Sequence, residues 1–314
     1  MSQGTRIRIV GVGGAGCNAI SRMSKCNIQG VDLIAINCDI SDLKKIKADK
    51  KIQIGKELTQ GFGAGMKPEI GRKSAIEDKA EIEEVLKGSD IVFIAAGLGG
   101  GTGTFASNVV ADVAKKTGAL TIAVVFMPFS FEGQQRGKIA KSGLMELKEV
   151  VDAIITIPND KIIGKLKEDQ TIQEAFWASD EILRQAVQGI SDLIVLPGLI
   201  NLDFADIKSI MENSGPVLFG VGIGRGEKKI EEALDSALNS SFINNSIKGA
   251  KGLLFNISGG DDLTLEEVKK AAEMIKDNAD RNAKIVFGAI QDSEMFKDGT
   301  VKITIIATGV NQND

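Results

Sequence analysis

The chain of 314 residues carries 38 basic and 42 acidic side chains and is 43% apolar, enough for a sizeable core in one large or two medium domains. A net charge of −4, no basic block and only 4% aromatics argue against a phosphate-tracking surface, so nucleic acid is not an expected partner, and no apolar run reaches the ~18 residues of a membrane span. Histidine is absent, which removes histidine-relayed nucleophiles and the commonest zinc ligand and leaves carboxylates, backbone donors, Arg or Lys and bound ions for any chemistry.

The first six residues lack a signal-peptide core, so a cytoplasmic location without direct membrane insertion is expected. Arg6 to Val10 reads as a short strand. It runs into Gly11-Val12-Gly13-Gly14-Ala15-Gly16-Cys17-Asn18, and a helix follows to about Ser24. Gly11, Gly13 and Gly16 satisfy GxGxxG, and Asp39 follows the next apolar run, Val31 to Ile36, where a dinucleotide-binding unit keeps its ribose carboxylate. GxGxxG alone is a weak signal, and the rest of the chain offers no recognisable hydride-transfer site. Cys17, Cys26 and Cys38 are odd in number and lack CxxC spacing, which favours reduced thiols over disulfides or zinc. Cys17, inside a glycine loop, is the one to test for reactivity.

Leu43 to Glu57 is polar and lysine-rich, and Gly61 to Pro68 reads as a loop ahead of a helix from Glu69 to Leu86. Asp90 to Ala96 is a buried strand. It is followed by Gly97-Leu98-Gly99-Gly100-Gly101-Thr102-Gly103-Thr104 and a helix from Ala106 to Lys116, with Val109, Val110 and Val113 at helical spacing. Consecutive glycines at a strand-to-helix junction remove the Cβ atoms that keep a bulky anion off the backbone. The helix N-terminus adds partial positive charge, so the loop suits phosphate. It contains no lysine. Its donors are backbone N–H groups and the hydroxyls of Thr102 and Thr104, and a polyphosphate held there needs a cation, for which Mg²⁺ is expected.

Leu120 to Phe126 is another buried strand, and Phe131 to Arg136 opens the next helix, with Glu132 and Arg136 four apart on one helix face. Ala153 to Ile157 is a strand that stops at Pro158-Asn159-Asp160. This alternation predicts a parallel sheet covered on both faces, with ligands at the carboxyl ends of the strands, where both glycine loops and Asn159 fall. Thr171 to Asp192 is the longest helical pattern. It is apolar around much of its circumference, as expected of a helix between two domains. In Asn201-Leu202-Asp203-Phe204-Ala205-Asp206, Asp203 fits the N-cap of a helix from Phe204 to Glu212. Strands at 217–223, 252–257, 285–290 and 301–308, mostly alternating, with helices at 228–238 and 265–277, give an α+β second half. The expected fold class is α/β: a parallel-sheet nucleotide-binding domain over 1–196 with a long central helix, and a smaller α+β domain over 197–314.

Gly99-Gly100-Gly101-Thr102-Gly103-Thr104 is similar to the signature loop of the FtsZ branch of the tubulin/FtsZ GTPase family. The resemblance continues through Phe131-Glu132-Gly133-Gln134-Gln135-Arg136, Pro158-Asn159-Asp160, Val187-Gln188-Gly189-Ile190 and the Asn201 to Asp206 segment. It implies a GTPase that assembles head to tail with itself into protofilaments and forms the division ring, using GTP/GDP with Mg²⁺. By the same resemblance Gly13, Gly14, Ala15, Gly16, Cys17 and Asn18, with Gly99 to Thr104, surround the phosphates, and Glu132 and Arg136 lie at the ribose. Asn159, Phe176 and Asp180 hold guanine, Phe176 by stacking. Asn201, Asp203 and Asp206 correspond to the loop that the family inserts toward a neighbour's nucleotide. Phe105, Phe126-Met127 and Trp177 depart from the family pattern, and Phe105 is expected to pack away from the phosphates. The sequence stops at Asp314 without the linker and terminal peptide by which the family binds adaptor proteins, so the expectation is a removed tail or a different tether. The alternative kept open is an FtsZ-like nucleotide-binding structural protein with little turnover.

Overall fold

Val- and Ile-rich segments separated by amphipathic ones give the first half of the chain its alternation of strand and helix. The computed structural model describes residues 4–26, 28, 30–163, 171–196, 198–200, 202–240, 247–293, 296 and 299–310. They divide into two compact units, Met1–Gln188 and Gly189–Asp314. The first unit runs β1 (Ile7–Val12), α1 (Gly13–Met23), β2 (Val31–Asn37), α2 (Ile40–Lys45), β3 (Lys50–Gln53), α3 (Lys56–Thr59), α4 (Pro68–Glu77) and α5 (Lys79–Leu86). It continues with β4 (Ile91–Gly97), α6 (Gly101–Lys116), β5 (Leu120–Met127), α7 (Gln134–Val150), β6 (Ala153–Pro158) and α8 (Asn159–Ile163). Helix α9 (Ile172–Val195) spans the division.

Within the first unit the strands order β3-β2-β1-β4-β5-β6, every pair parallel. The order reverses between β1 and β4, the switch point outside which open parallel sheets bind ligands. Val10, Ile34, Ile94, Val110, Ala123 and Leu147 belong to the core under the helices, each large aliphatic side chain contributing about 1.5–3 kcal/mol by burial. Ala106, Ala111 and Ala114 are fully buried on α6; such small side chains let its axis lie close to the sheet.

Three local readings change. The helix expected over Glu69 to Leu86 is two helices, because Asp78 leaves helical geometry (φ −103°, ψ 24°) and its carboxylate accepts a hydrogen bond from the Gly55 amide at 2.7 Å. The lysine-rich stretch contains β3, in which only Ile52 is fully buried. Its exposed Lys50 and Lys51 suit a strand at the edge of the sheet. Both glycine runs are themselves helical from Gly13 and Gly101 onward, so the helices begin inside them.

The second unit contains α10 (Phe204–Met211), β7 (Gly215–Arg225), α11 (Lys229–Leu238), β8 (Gly252–Gly259), α12 (Leu265–Lys276), β9 (Lys284–Gln291) and β10 (Thr300–Thr308). Its strands order β7-β10-β8-β9, antiparallel except for β8 and β9, whose parallel pairing uses α12 as the crossover. The alternating pattern expected for these strands fails at β8, which is buried at every position. Leu218, Ile230, Leu234, Phe255, Ile303 and Ile305 are part of this unit's core.

Candidate functional site

Val12 of β1 pairs with Ala96 of β4, so the two glycine turns leave the sheet side by side at the switch point. Gly13 has φ +72°, and a Cβ on it would sit 2.7 Å from the Gly103 amide nitrogen. A Cβ on Gly103 would sit 2.6 Å from the Gly97 carbonyl. The backbones of the two turns therefore touch, and side chains at these positions have no room. Neither α1 nor α6 has a side-chain N-cap or an acidic residue in its first turn. Two neighbouring helices thus leave their first N–H groups for an anion instead of for a cap.

These turns form one end of a cavity of about 900 Å³. Gly14, Ala15, Asn18, Gly100, Gly101, Thr102 and Gly103 line it, and so do Glu132, Arg136, Asn159, Phe176 and Asp180. Gly13, Gly16, Cys17, Gly99 and Thr104 lie behind the wall. Gly16 packs where a Cβ would come within 2.1 Å of the Ala95 carbonyl. The Thr104 hydroxyl, expected as a ligand donor, instead donates to the Gly100 carbonyl at 2.6 Å and accepts from the Gly99 amide at 2.9 Å, which makes it an internal tie of the loop. Cys17 is fully buried, with Sγ 3.3 Å from the Gly11 carbonyl and 3.4 Å from that of Ile36. Burial pushes its thiol up to about 12, which removes the reactivity the loop position suggested. Phe105 is buried away from the cavity, with the Arg72 guanidinium 4.2 Å from its ring centroid, as its size requires.

The opposite end is built by α8 and α9. Asn159 opens α8 at the end of β6, and Phe176 and Asp180 lie one turn apart on α9. Phe176 is partly exposed, and its ring stands edge-on to buried Phe129 at 5.4 Å between centroids. Asp180 forms an ion pair with Arg22 of α1. Burial raises its carboxyl to about 6, and the charge and hydrogen bonding of Arg22 oppose that rise. Sequence reasoning missed Arg22; its signal was the spacing of one helical turn from Asn18, which puts both on the cavity side of α1.

Glu132 and Arg136 form an ion pair on the wall, and Glu132 Oε1 also accepts from the Phe129 amide at 2.9 Å. Asp39 lines the cavity too, but its Oδ1 caps α2 through the amides of Ser41 at 2.9 Å and Asp42 at 3.1 Å. Among the described residues, the lining cations are Arg22 and Arg136, each paired with a lining carboxylate, whereas Asp39 and Asp42 add two further acids. The described lining thus supplies amides and hydroxyls to an anion, and no spare positive charge.

In the second unit, Asn201 lies outside the described residues. Asp203 and Asp206 cap α10 reciprocally: Asp203 Oδ1 accepts from the Asp206 amide at 2.7 Å, and Asp206 Oδ2 accepts from the Asp203 amide at 3.4 Å. Asp203 is exposed.

A parallel sheet that turns two uncapped helix N-termini toward one end of a cavity, and an aromatic ring with an amide and a carboxylate toward the other, defines a nucleotide-binding protein whose phosphate loops carry no lysine. Residues 6–167 match the GTPase domain of the tubulin/FtsZ family, and residues 215–311 match the C-terminal domain of the FtsZ family. The chain is similar to FtsZ of M. jannaschii, solved as an empty dimer, at 44% identity over 99% of this chain and 90% of that one, with a TM-score of 0.91. It is equally similar to a point mutant of that protein, over 98% and 92% of the two chains at a TM-score of 0.91. CetZ2 from Haloferax volcanii, solved as a GTPγS-bound protofilament, shares the fold at 19% identity and a TM-score of 0.82, over 98% and 94% of the chains. The chain belongs to the tubulin/FtsZ family and is a GTP-binding GTPase of the polymerising, cytoskeletal kind.

Proposed function

We propose that the cavity holds GTP or GDP with the phosphates on the N-termini of α1 and α6 and guanine between Phe176, Asn159 and Asp180, and that hydrolysis requires a second copy of the chain. The observation that carries this reading is the pairing, in one cavity, of two uncapped helix N-termini with an amide and a carboxylate at the far end. A carboxylate accepts the N1 and N2 hydrogens of guanine together, a pattern adenine cannot offer. Gly14, Ala15, Asn18 and Gly100 to Gly103 surround the phosphates, with Gly13, Gly16, Cys17, Gly99 and Thr104 shaping the turns from behind, and Glu132 and Arg136 meet the ribose.

Mg²⁺ belongs to this reading because both lining arginines are already paired. It fits the donor set: Mg²⁺ is usually held by one or two carboxylates, waters and the substrate's own phosphates, and Asp39 and Asp42 line the cavity. The ion would offset the repulsion between those acids and the phosphates. Chelation should therefore abolish hydrolysis and weaken GTP binding, measured as phosphate release and nucleotide affinity with and without EDTA.

Asn201, Asp203 and Asp206 belong to the segment proposed to act on a neighbour's nucleotide, in a functional division of the chain at 196/197. The filament is head to tail; a cytoplasmic location at the division site, reached through adaptor proteins, is part of the same proposal. Phosphate release measured against protein concentration tests it. A polymer enzyme shows a threshold below which turnover vanishes, and a linear dependence from the lowest concentration would refute the shared site. A second reading, a nucleotide-binding structural protein with little turnover, is favoured by one observation: Asp203 and Asp206 are engaged with each other's amides. Filaments that form without phosphate release would support it.

A further inference from the structure

We infer that Ser179 is a positioning residue that sets which end of the Asn159 amide faces the base, and so determines specificity at position 6 of the purine. The inference rests on the guanine reading above and deepens it.

Ser179 and Asn159 are both buried, at 3% and 6% exposure, and both line the base end of the cavity. The Ser179 hydroxyl donates to Asn159 Oδ1 at 3.1 Å and lies 3.2 Å from the Ala175 carbonyl, one turn back on α9. Its single hydrogen is shared between these two oxygens, and the amide oxygen is the end of Asn159 turned toward it. The planar amide then presents Nδ2, which has no hydrogen bond to any described residue, to the cavity.

Guanine carries acceptors at O6 and N7, whereas adenine carries an N6 amino donor in place of O6. An inward NH₂ group therefore complements guanine and opposes adenine. The reversed amide would accept from adenine N6. Reversal would also turn Oδ1 toward a cavity whose four lining carboxylates outnumber its two lining cations, so the electrostatics and the Ser179 bond favour the same orientation. Asp180 and Asn159 thus read adjacent positions of the base, N1 and N2 for the first and position 6 for the second, and the residue beside Asp180 on α9 holds the second reader in place.

The test compares GDP with 6-thioguanosine diphosphate, which keeps N1–H and the 2-amino group but offers a weak sulfur acceptor at position 6, and with inosine diphosphate, which lacks only the 2-amino group. Affinities of all three, and of ADP, are measured for the unmodified protein, Ser179→Ala and Ser179→Thr. Ser179→Ala should lower the preference for GDP over the thio analogue by about three- to fivefold, the scale of one hydrogen bond losing its preorganisation. It should leave the preference for GDP over inosine diphosphate unchanged, because Asp180 reads that edge. Ser179→Thr, which keeps the hydroxyl, should restore the first preference. An unchanged first ratio, or equal loss of both ratios, overturns the inference, the latter by showing general loosening of the pocket. Failure of the unmodified protein to prefer GDP over ADP would instead refute the guanine reading itself.

Discussion

At Asp180, the proposed choice of base and the response to pH meet in one carboxyl group. Its pKa lies at about 6, above the ordinary 3.8, because burial outweighs the Arg22 charge. In the empty protein its ionisation therefore opposes folding: the contribution it makes when protonated is complete below pH ~4 and is lost as pH rises through ~6. Guanine needs the opposite state, since only the carboxylate accepts both N–H groups. GDP should bind about fourfold more tightly at pH 7.5 than at pH 5.5 from this group alone. The diphosphate also titrates near this range, so Asp180→Asn supplies the baseline, and calorimetry that finds the same pH profile in both proteins would refute the assignment. Asp180→Ala should weaken GTP and erase most of its advantage over ATP, and equal affinity of the unmodified protein for the two would remove the basis for both. Thiol chemistry gives a simpler check. Cys17 and Cys38 are buried and burial raises both thiols, whereas Cys26 is exposed, so mass spectrometry after alkylation of the folded protein should find Cys26 modified and Cys17 intact.

Among the elements, legibility followed the strength of the local pattern. Strands β1, β4, β5 and β6 are legible because each is an apolar, mostly Val/Ile-rich run that ends at or just before a glycine or proline, and their C-terminal ends locate the cavity. The starts of α1 and α6 are not, because glycine is a poor helix former and tertiary packing shapes both turns: Gly13, at φ +72°, lies against Gly103, and Gly101 lies against Ala64 and Met66. Strand β3 was missed for the opposite reason: two of its four residues are exposed lysines, so it has no periodic signal. At the site, the glycine turns and Asn159 are legible as residue types at strand ends, whereas Phe176 and Asp180 on α9 are candidates only through the family resemblance. The Arg22 to Asp180 and Ser179 to Asn159 pairs join residues far apart in sequence, and no spacing rule reaches them. Phe105 shows how an anomaly in sequence becomes ordinary in structure. Buried under Arg72 on α6, it should cost about 3–5 kcal/mol when cut to alanine while nucleotide affinity stays within about threefold. Thermal unfolding beside a binding isotherm separates the two, and a tenfold gain in affinity for Phe105→Gly would mean that the ring obstructs the site.

For the whole molecule, the decisive question is whether one chain completes its own active site. Phe176 and Asp180 lie in the first half of α9, and roughly four helical turns of about 5.4 Å each follow Asp180 before the helix ends. Asp203 and Asp206 come only after that end. Along the chain the proposed base readers precede these turns of α9 and the candidate acids follow them, and the acids are proposed to serve the nucleotide of the next subunit. There they would orient and polarise the attacking water at the γ-phosphate. A contact between unlike surfaces that does not close yields a filament. Asp206→Ala should then bind GTP normally, lose hydrolysis at least a hundredfold, and form filaments that persist; loss of its half of the α10 cap should cost only about 1 kcal/mol. Mixing it with a protein disabled for GTP binding, such as one with Gly103→Val, should recover part of the hydrolysis, because each partner retains what the other lacks. Light scattering would establish that the two co-assemble. A co-assembled mixture that stays inactive, or an Asp206→Ala protein that hydrolyses GTP at the unmodified rate, would leave the acids with only their capping role.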